Sequence, residues 1–329
     1  MSDATFFASA NGRKRERPLN KHRMSDSFEL KEYCDGNKSD LLAFIEKNPA
    51  SPAATDLAGF FLDKIIPSCG RVYDLFLENQ RVAAAFLIDG VENASNSAEL
   101  FIVGLTASSR SLSIVEHLVS TAETTIRASR RRLLEIADFA LIPGLNSLLT
   151  RRGYRLSYEM IIMDRTEAKL WPAPKSSLPT GWRWVPLTEE LQRPYYEATK
   201  KAFRQVKGSN ITDFESFCER NRDARYTIEL LLTDKDLVAA FAKVSPDLEH
   251  PENGEIISIG RDPDCRGMGL GEHILARALE LLKLRGFDKY TLSVNAENET
   301  ALSLYKHFGF SVRESTPVLG LELRKTDPA

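Results

Sequence analysis

The residues with the clearest chemical potential form a glycine-rich turn at positions 267–271. Gly267, Gly269 and Gly271 alternate there, and Arg266 stands directly before them. Glycine carries no side chain, so a phosphate can approach the backbone closely, and the free N–H groups of a helix start point toward such an anion. The turn therefore predicts an anion-binding site, to which Arg266 adds a fixed positive charge.

The elements on either side of the turn are those that such a site requires. Residues 256–259, which include three isoleucines, predict a buried strand that ends at Gly260 and Asp262-Pro263. After the turn, apolar residues recur at helical spacing, at positions 270, 274, 275, 278, 281 and 282. A strand, a glycine turn and a helix start thus follow each other in the order of a phosphate site.

The spacing within the turn excludes two other phosphate motifs. No Gly-Lys-Ser/Thr follows, as a P-loop requires, and Glu272 stands where the dinucleotide fingerprint has its last glycine. The pattern Arg-x-x-Gly-x-Gly, formed by Arg266, Gly269 and Gly271, resembles the GNAT family of acetyl-CoA-dependent N-acyltransferases. In that family this turn holds the diphosphate of coenzyme A.

A second segment, Asn298 to Phe310, resembles the other cofactor segment of that family, Asn-x-x-Ala-x-x-x-Tyr followed by Gly-Phe. Asn298 would begin a helix, Tyr305 lies two turns along the same face, and Ala301 between them leaves room for a chain to pass. Such a stripe would suit a pantetheine arm. Taken alone, Tyr305 could equally be an ordinary half-buried tyrosine.

The resemblance implies direct transfer, in which a substrate amine attacks the thioester carbonyl of acetyl-CoA and coenzyme A leaves as a thiolate. It implies that Tyr305 protonates the sulfur and that the backbone of Ser258 and Ile259 grips the pantetheine like an added strand. No metal is expected. The expected cofactor-binding residues are Ile257, Ser258, Ile259, Arg266, Gly267, Met268, Gly269, Leu270, Gly271, Asn298 and Ala301.

We expect Glu255, at the start of the strand, to be the catalytic base. An unperturbed glutamate has a pKa of ~4.3, so it must be partly desolvated or act through water to deprotonate an ammonium of pKa ~10. The alternative is a solvent-facing residue at a strand end. Arg261 stands where the family usually has a small or apolar residue, and it either turns outward or reaches the phosphates. Cys265 lacks an oriented histidine partner, and His273 is expected on a helix face.

Composition places the chain among soluble globular proteins. It has 329 residues, 43% hydrophobic and 27% charged, and a net charge of −2, which gives no reason to expect nucleic acid as a partner. Its four cysteines are isolated, which argues against a disulfide framework or structural zinc and fits the cytoplasm. Apolar runs such as residues 82–88 are too short to span a membrane, and we expect no secretory signal.

The chain predicts an α/β (α+β) fold of two tandem GNAT-like domains, each with a mixed, mostly antiparallel sheet flanked by helices. Residues 1–27 are a basic tail expected to be disordered, with a nuclear or nucleic-acid signal or a natural start at Met24 as alternatives. Residues 28–164 form the first domain, 165–180 a proline-containing linker and 181–325 the second domain. Helices are expected at 39–47, 55–66, 111–128, 143–152, 189–203, 213–221 and 299–308. Strands are expected at 28–33, 71–78, 81–89, 99–105, 132–137, 154–163, 182–185, 226–233, 237–244, 290–294 and 310–323.

The two domains are repeats of one another. Sliding the chain by 156 residues aligns Glu99 with Glu255, Gly104 with Gly260 and Gly153 with Gly309, among 13 identities over residues 82–153. The first copy has Ser111, Ser113 and Val115 opposite the three glycines, and Ile142 and Leu149 opposite Asn298 and Tyr305. A β-branched valine is a steric obstacle to a phosphate, so the first domain is expected to keep the fold without the cofactor site. The retention of a glutamate at 99 favours a structural role for Glu255.

The sequence thus predicts an enzyme that acetylates an amine of a small-molecule or peptide acceptor, with residues 195–217 lining the acceptor site. Lys200, Lys201, Lys207 and Asp213 lie in that stretch, although they could equally be solvated. The pairing of one working and one degenerate unit resembles the arrangement of mycothiol synthases. Two alternatives are an acyl-CoA-binding pseudoenzyme or sensor, and a nucleotide-binding protein that uses the glycine turn for ATP.

Overall fold

The structure is a computed structural model, and the chain in it divides into two compact units. The first unit runs to Ser157 and includes the residues from Thr316 onward, and the second is Tyr158–Ser315. The predicted tail, residues 1–27, lies outside the described residues. The residues described are 28–31, 33, 37–51, 54, 58–59, 61–89, 92–93, 96–107, 111–129, 131–137, 142–166, 170–207, 210–211, 213–248 and 250–323.

The first unit is a sheet with helices. Its strands are β1 (Phe28–Lys31), β2 (Gly70–Leu77), β3 (Gln80–Ile88), β4 (Glu92–Asn93), β5 (Ser97–Leu105), β6 (Leu133–Ala137), the start of β7 (Arg155–Thr166) and the end of β14 (Ser311–Glu322). Its sheet has the order β1-β2-β3-β5-β6-β14, antiparallel except for the parallel pair β5 and β6. Its helices are α1 (Lys38–Lys47), α2 (Ile66–Cys69, after a π-helical turn at Phe61–Ile65), α3 (Ser111–Arg127) and α4 (Leu145–Arg151).

The second unit repeats this plan. Its sheet has the order β7-β13-β12-β11-β10-β8, antiparallel except for the parallel pair β12 and β13. Besides parts of β7 and β14, its strands are β8 (Arg183–Pro186), β9 (Asn210–Ile211), β10 (Thr227–Leu232), β11 (Val238–Pro246), β12 (Gly254–Arg261) and β13 (Lys289–Asn295). Its helices are α5 (Gln192–Phe203), α6 (Phe214–Asn221), a 3₁₀ turn (Pro263–Cys265), α7 (Leu270–Leu284) and α8 (Glu299–His307).

Helix α7 packs on one face of the second sheet because its apolar residues recur every three or four positions. Leu275, Leu279 and Leu282 are fully buried in a cluster with Ala242 and Val244 of β11. Burial of each such leucine side chain stabilises the fold by about 1.5–3 kcal/mol. This packing fixes the first turn of α7 at the end of β12.

An aromatic cluster covers the opposite face of the same sheet. Tyr195 of α5 packs against Phe217 of α6 and Phe241 of β11, with ring centroids 5.0 and 5.2 Å away. Phe241 in turn lies against Gly260, where a Cβ atom would be 2.4 Å from the ring. The two faces of the sheet are therefore covered by different helices, α7 on one and α5 with α6 on the other.

The limits of the two units differ from the predicted domain limits at residues 164 and 181. Residues 160–166 of β7 pair with β13, so they belong to the second unit, whereas residues 318–322 of β14 pair with β6 and belong to the first. Inter-strand hydrogen bonds decide these assignments, and sequence periodicity does not reveal them. Of the predicted linker, Arg165 and Thr166 are part of β7, and residues 170–180 have no regular secondary structure.

Most predicted elements agree with the structure to within a few residues. The largest difference concerns the predicted helix 55–66, whose described part contains the π-helical turn and then α2, which ends at Cys69. Among the described residues, no helix is both long and apolar enough to cross a membrane.

Candidate active site

The second unit contains a cleft between β12 and β13. These parallel strands pair through residues 254–256 and 290–292, and β12 then continues to Arg261 and β13 to Asn295. Within the described chain, no strand pairs with the β13-facing edge of residues 257–261. The backbone N–H and C=O groups of that edge are open to a ligand that adds as a further strand.

A β-bulge marks the point where the two strands part. Val244 pairs with Ile256 and Lys243 with Ser258, which makes Ile257 the extra residue of β12. A bulge leaves its residue out of the ladder and bends the strand. The predicted pantetheine-binding residues, Ile257, Ser258 and Ile259, therefore lie where β12 bends away from β13.

The glycine turn follows β12 and ends at α7. Gly267 and Gly269 have φ angles of +85° and +73°, and Gly269 is the N-cap of α7. L side chains are strained in this conformation, which explains two of the three glycines. For the N–H groups of residues 267–271, the described chain offers no hydrogen-bond acceptor. Arg266 beside them is exposed and has no carboxylate partner in the same part of the chain.

Gly271 also lies close to α8. A Cβ atom at this position would lie 3.2 Å from Cδ2 of Leu304 on α8. The missing side chain therefore allows α7 and α8 to approach closely. That contact brings α8 next to the glycine turn.

Helix α8 carries the three predicted residues of the second segment. The Asn298 side-chain oxygen caps the helix by accepting a hydrogen bond from the Ala301 N–H at 3.2 Å. Because Asn298 is exposed, its amide N–H groups can still donate to a ligand. Tyr305 is 8% exposed and packs with Phe310 in the cluster under α7. Burial raises the pKa of Tyr305 to about 12, so its hydroxyl stays protonated at neutral pH.

Glu255 lies on the other face of the sheet from α7. It is 1% exposed and directly opposite Ser245 on β11 and Thr291 on β13. Since side chains alternate along β11, Ser245 shares the face of Phe241, which α5 and α6 cover. The predicted base and the predicted acid therefore belong to opposite faces of the sheet, on either side of the strand that opens into the cleft.

Residues 184–310, which include all of these elements, match the Acetyltransferase (GNAT) family. The chain contains a GNAT acetyltransferase domain. The resemblance that the two cofactor segments suggested is thereby confirmed.

Relatives extend the likeness beyond this GNAT domain. A mycothiol acetyltransferase of Beutenbergia cavernae is 47% identical over a stretch that covers 52% of this chain and 61% of that protein. Another, from Saccharomonospora viridis, is 25% identical over 60% of this chain and 67% of its own length. The match to the Beutenbergia protein therefore spans less than two thirds of its length.

Both units share their fold with known structures. A tandem GNAT protein from the clavulanic acid biosynthesis pathway superposes with a TM-score of 0.65 and 15% identity, over 91% of this chain and 100% of its own. A likeness at 15% identity is evidence for the fold alone. The predicted fold of two tandem GNAT-like units is confirmed.

The last turn of α5 and the segment after it contact both sides of the cleft of the GNAT domain. Lys201 forms an ion pair of 2.9 Å with Asp262, which follows β12. Lys207 forms one of 2.8 Å with Glu297, which follows β13, and its carbonyl accepts from the Asn295 side chain at 3.4 Å. These contacts put part of the predicted acceptor-lining stretch at the mouth of the cleft. Asp213, by contrast, caps α6 by accepting from the Ser216 N–H at 2.9 Å.

The corresponding cleft edge of the first unit is filled by its own chain. The Ala50 N–H donates to the Val103 carbonyl at 3.1 Å, and the Leu105 N–H donates to the Asn48 carbonyl at 3.0 Å. Residues 104 and 105 pair with β3 on their other edge, so the segment 48–50 lies on the edge that faces β6. Val115, which aligns with Gly271, and Leu149, which aligns with Tyr305, are fully buried in the core of the first unit.

Sequence reasoning missed a contact between the predicted linker and the glycine turn. The Lys175 N–H donates to Glu272 Oε2 at 2.8 Å, and Lys175 Nζ lies 3.3 Å from Glu272 Oε1. Ser176 Oγ lies 3.5 Å from His273 Nε2 and 2.9 Å from the place that a Cβ atom of Gly269 would take. Trp171, a large aromatic residue among the prolines, was the available signal that this segment packs on the domain.

Two further residues that the sequence singled out have ordinary surroundings. Burial raises the pKa of the Cys265 thiol, and Asp262 and Asp264 add to this effect, which disfavours a nucleophilic thiolate. Arg261 is half-buried at the end of β12 and forms no ion pair among the described residues. In that same part of the chain, no group of three or more His, Cys, Asp or Glu residues is arranged to hold a metal ion.

Proposed function

We propose that the second unit transfers the acetyl group of acetyl-CoA to the amine of a small-molecule acceptor. The observation that carries this proposal is that two sets of backbone groups, the β13-facing edge of residues 257–261 and the N–H groups of the turn at 267–271, have no partner among the described residues. A strand edge suits the amides of pantetheine, and the N–H groups of a helix start suit a diphosphate. The membership of this domain in an acetyltransferase family and the names of its relatives support the choice of cofactor and reaction.

The residues present offer groups that match each part of acetyl-CoA. Residues 257–259 would pair with the pantetheine arm, and the N–H groups of residues 267–271 with Arg266 would bind the diphosphate. Asn298 would donate to the cofactor from the start of α8, and Ala301 leaves room along the helix. When bound, acetyl-CoA supplies a thioester carbonyl that an amine can attack.

We assign Glu255 as the group that receives the proton of the amine. Its carboxylate is buried on the face covered by α5 and α6, where the acceptor would enter. A carboxylate near the amine can accept its proton as the nitrogen attacks the thioester carbonyl. Water could relay the proton if the amine does not contact the carboxylate directly.

We assign Tyr305 as the group that gives a proton to the departing sulfur. Its raised pKa keeps the hydroxyl protonated before transfer, and for that hydroxyl the described chain offers no hydrogen-bond partner that would compete. It belongs to the cluster under α7, on the cofactor side of the sheet. Base and acid therefore act from opposite sides of the thioester.

We further propose that the first unit does not bind acetyl-CoA. The edge that would hold pantetheine is already paired with residues 48–50, and buried Val115 replaces Gly271. Leu149 replaces Tyr305, which removes the proposed acid. One acetyl-CoA per chain is the expected stoichiometry.

Calorimetry and an acetylation assay test the proposal. We expect acetyl-CoA to bind with a stoichiometry near one, ATP not to bind, and release of the coenzyme A thiol to depend on an amine from a small-molecule panel. Binding of ATP in place of acetyl-CoA would refute the assignment of the turn. Binding of acetyl-CoA without turnover across the panel would instead favour a sensor that does not catalyse.

A further inference from the structure

The first turn of α7 carries a negative charge at the place proposed for the diphosphate. Glu272 follows directly after the turn at 267–271. A helix N-terminus attracts any anion, so this carboxylate is a natural competitor for the N–H groups of the turn. Unless its charge is compensated, it also repels a diphosphate.

Lys175, in the segment 170–180, binds this carboxylate. Both carboxylate oxygens contact Lys175, one through the backbone N–H at 2.8 Å and the other through Nζ at 3.3 Å. These contacts, the backbone hydrogen bond foremost, lower the pKa of Glu272, so the group is ionised but already paired. Among the described residues, no N–H group of 267–271 donates to it.

We propose that Lys175 is a positioning residue of the acetyl-CoA site, which binds the Glu272 carboxylate and compensates its charge so that the turn stays open to the diphosphate. This inference rests on the proposed function. Lys175 need not touch the cofactor, because its effect passes through Glu272. The segment 170–180, which the sequence predicted to be a linker, is then a functional part of the acetyl-CoA site.

The replacement Lys175→Ala isolates the charge, because the backbone N–H that binds Glu272 remains. We expect the Kd for acetyl-CoA, measured by calorimetry, to rise about fivefold, the effect of roughly 1 kcal/mol of uncompensated repulsion. The double variant Lys175→Ala/Glu272→Gln should return to the wild-type Kd, and Lys175→Arg should retain it. Because the charges of Lys175 and Glu272 are partly exposed, about 0.5 M salt should reduce the difference in Kd between the wild type and Lys175→Ala.

Two controls separate this effect from general changes in charge or fold. Lys289→Ala removes one positive charge at the start of β13, whereas the cleft lies at the Asn295 end of that strand, and it should leave the Kd for acetyl-CoA unchanged. Acetylpantetheine lacks the diphosphate, so Lys175→Ala should not weaken its binding.

Three results would each overturn the inference: an unchanged Kd in Lys175→Ala, no rescue by Glu272→Gln, or an equal loss with acetylpantetheine. If the wild-type protein does not bind acetyl-CoA at all, the proposed function fails instead.

Discussion

Replacing Gly269 with valine tests the glycine turn most directly. With φ at +73°, an L residue costs about 1–2 kcal/mol at this position, and a β-branched one costs more. The nearest obstacle is the Ser176 hydroxyl, 2.9 Å from the new Cβ atom, which is the end of an exposed side chain and can move. This cost is small beside the roughly 5–15 kcal/mol of a typical domain, so the variant should fold.

The effect on binding should be much larger than the effect on stability. The valine either blocks the approach of the diphosphate or shifts φ and turns the N–H groups of residues 267–271 away from it. Loss of two hydrogen bonds to a charged group, at about 1.5–3 kcal/mol each, weakens binding by at least about 100-fold. Calorimetry with acetyl-CoA gives the affinity, and urea unfolding gives the free energy of unfolding.

Gly286 provides a matched control at the other end of α7. Its φ is +87°, and a Cβ atom there would meet nothing within 4 Å, so Gly286→Val introduces similar strain away from the turn. It should lower the free energy of unfolding as Gly269→Val does and leave acetyl-CoA affinity unchanged. Ser113→Val, at the equivalent of Gly269 in the first unit, should change neither. The assignment of the turn is wrong if Gly269→Val binds normally, or if Ser113→Val cripples binding.

Four further predictions concern single features of the two units. Glu255→Gln should lower kcat about 10²- to 10⁴-fold with little change in acetyl-CoA affinity, and an unchanged kcat would exclude it as the base. Burial raises the pKa of Tyr305 to about 12, so the free energy of unfolding should fall as pH rises from 10 to about 12, and Tyr305→Phe should reduce that slope. Gly260→Ala places a Cβ atom 2.4 Å from the Phe241 ring and should destabilise the fold by about 1–3 kcal/mol in urea unfolding, a result that a neutral variant would contradict. Introducing glycine at positions 111, 113 and 115 together should leave the stoichiometry at one acetyl-CoA per chain. A second bound molecule would show that the turn alone determines whether a unit binds acetyl-CoA.

Local sequence was sufficient to predict most of the elements and the family. Two of the signals, the alternation of apolar residues and the glycines past helix ends, depend only on neighbours within a few positions. The 156-residue repeat comes from comparing the chain with itself. Asn298, Gly269 and the helix after the turn could therefore be located before any contact was known. The role of Asn298 as an N-cap also follows from its position alone.

Features that depend on pairing between distant residues could not be predicted in this way. The strand segments 160–166 and 318–322 each join the sheet of the other half, which alternation along the strand does not indicate. The close approach of Gly271 to Leu304 on α8 became visible only in the structure. In the sequence, Lys175 is one charged residue of the predicted linker, and only the structure shows that it contacts Glu272.

The proposed difference in acetyl-CoA binding between the two units has a structural basis besides the glycines that the first unit lacks. In both, the strand that leads to the turn parts from its parallel neighbour and exposes an edge. In the first unit the segment after α1 pairs with that edge through Asn48 and Ala50. In the second, Lys201 in the last turn of α5 and Lys207 after it form ion pairs beyond the ends of the two strands, and no described residue pairs with the edge of residues 257–261. Because an edge already paired with its own chain cannot pair with pantetheine, the position of the chain beside this edge would, under the proposed function, be sufficient to separate a binding unit from a supporting one.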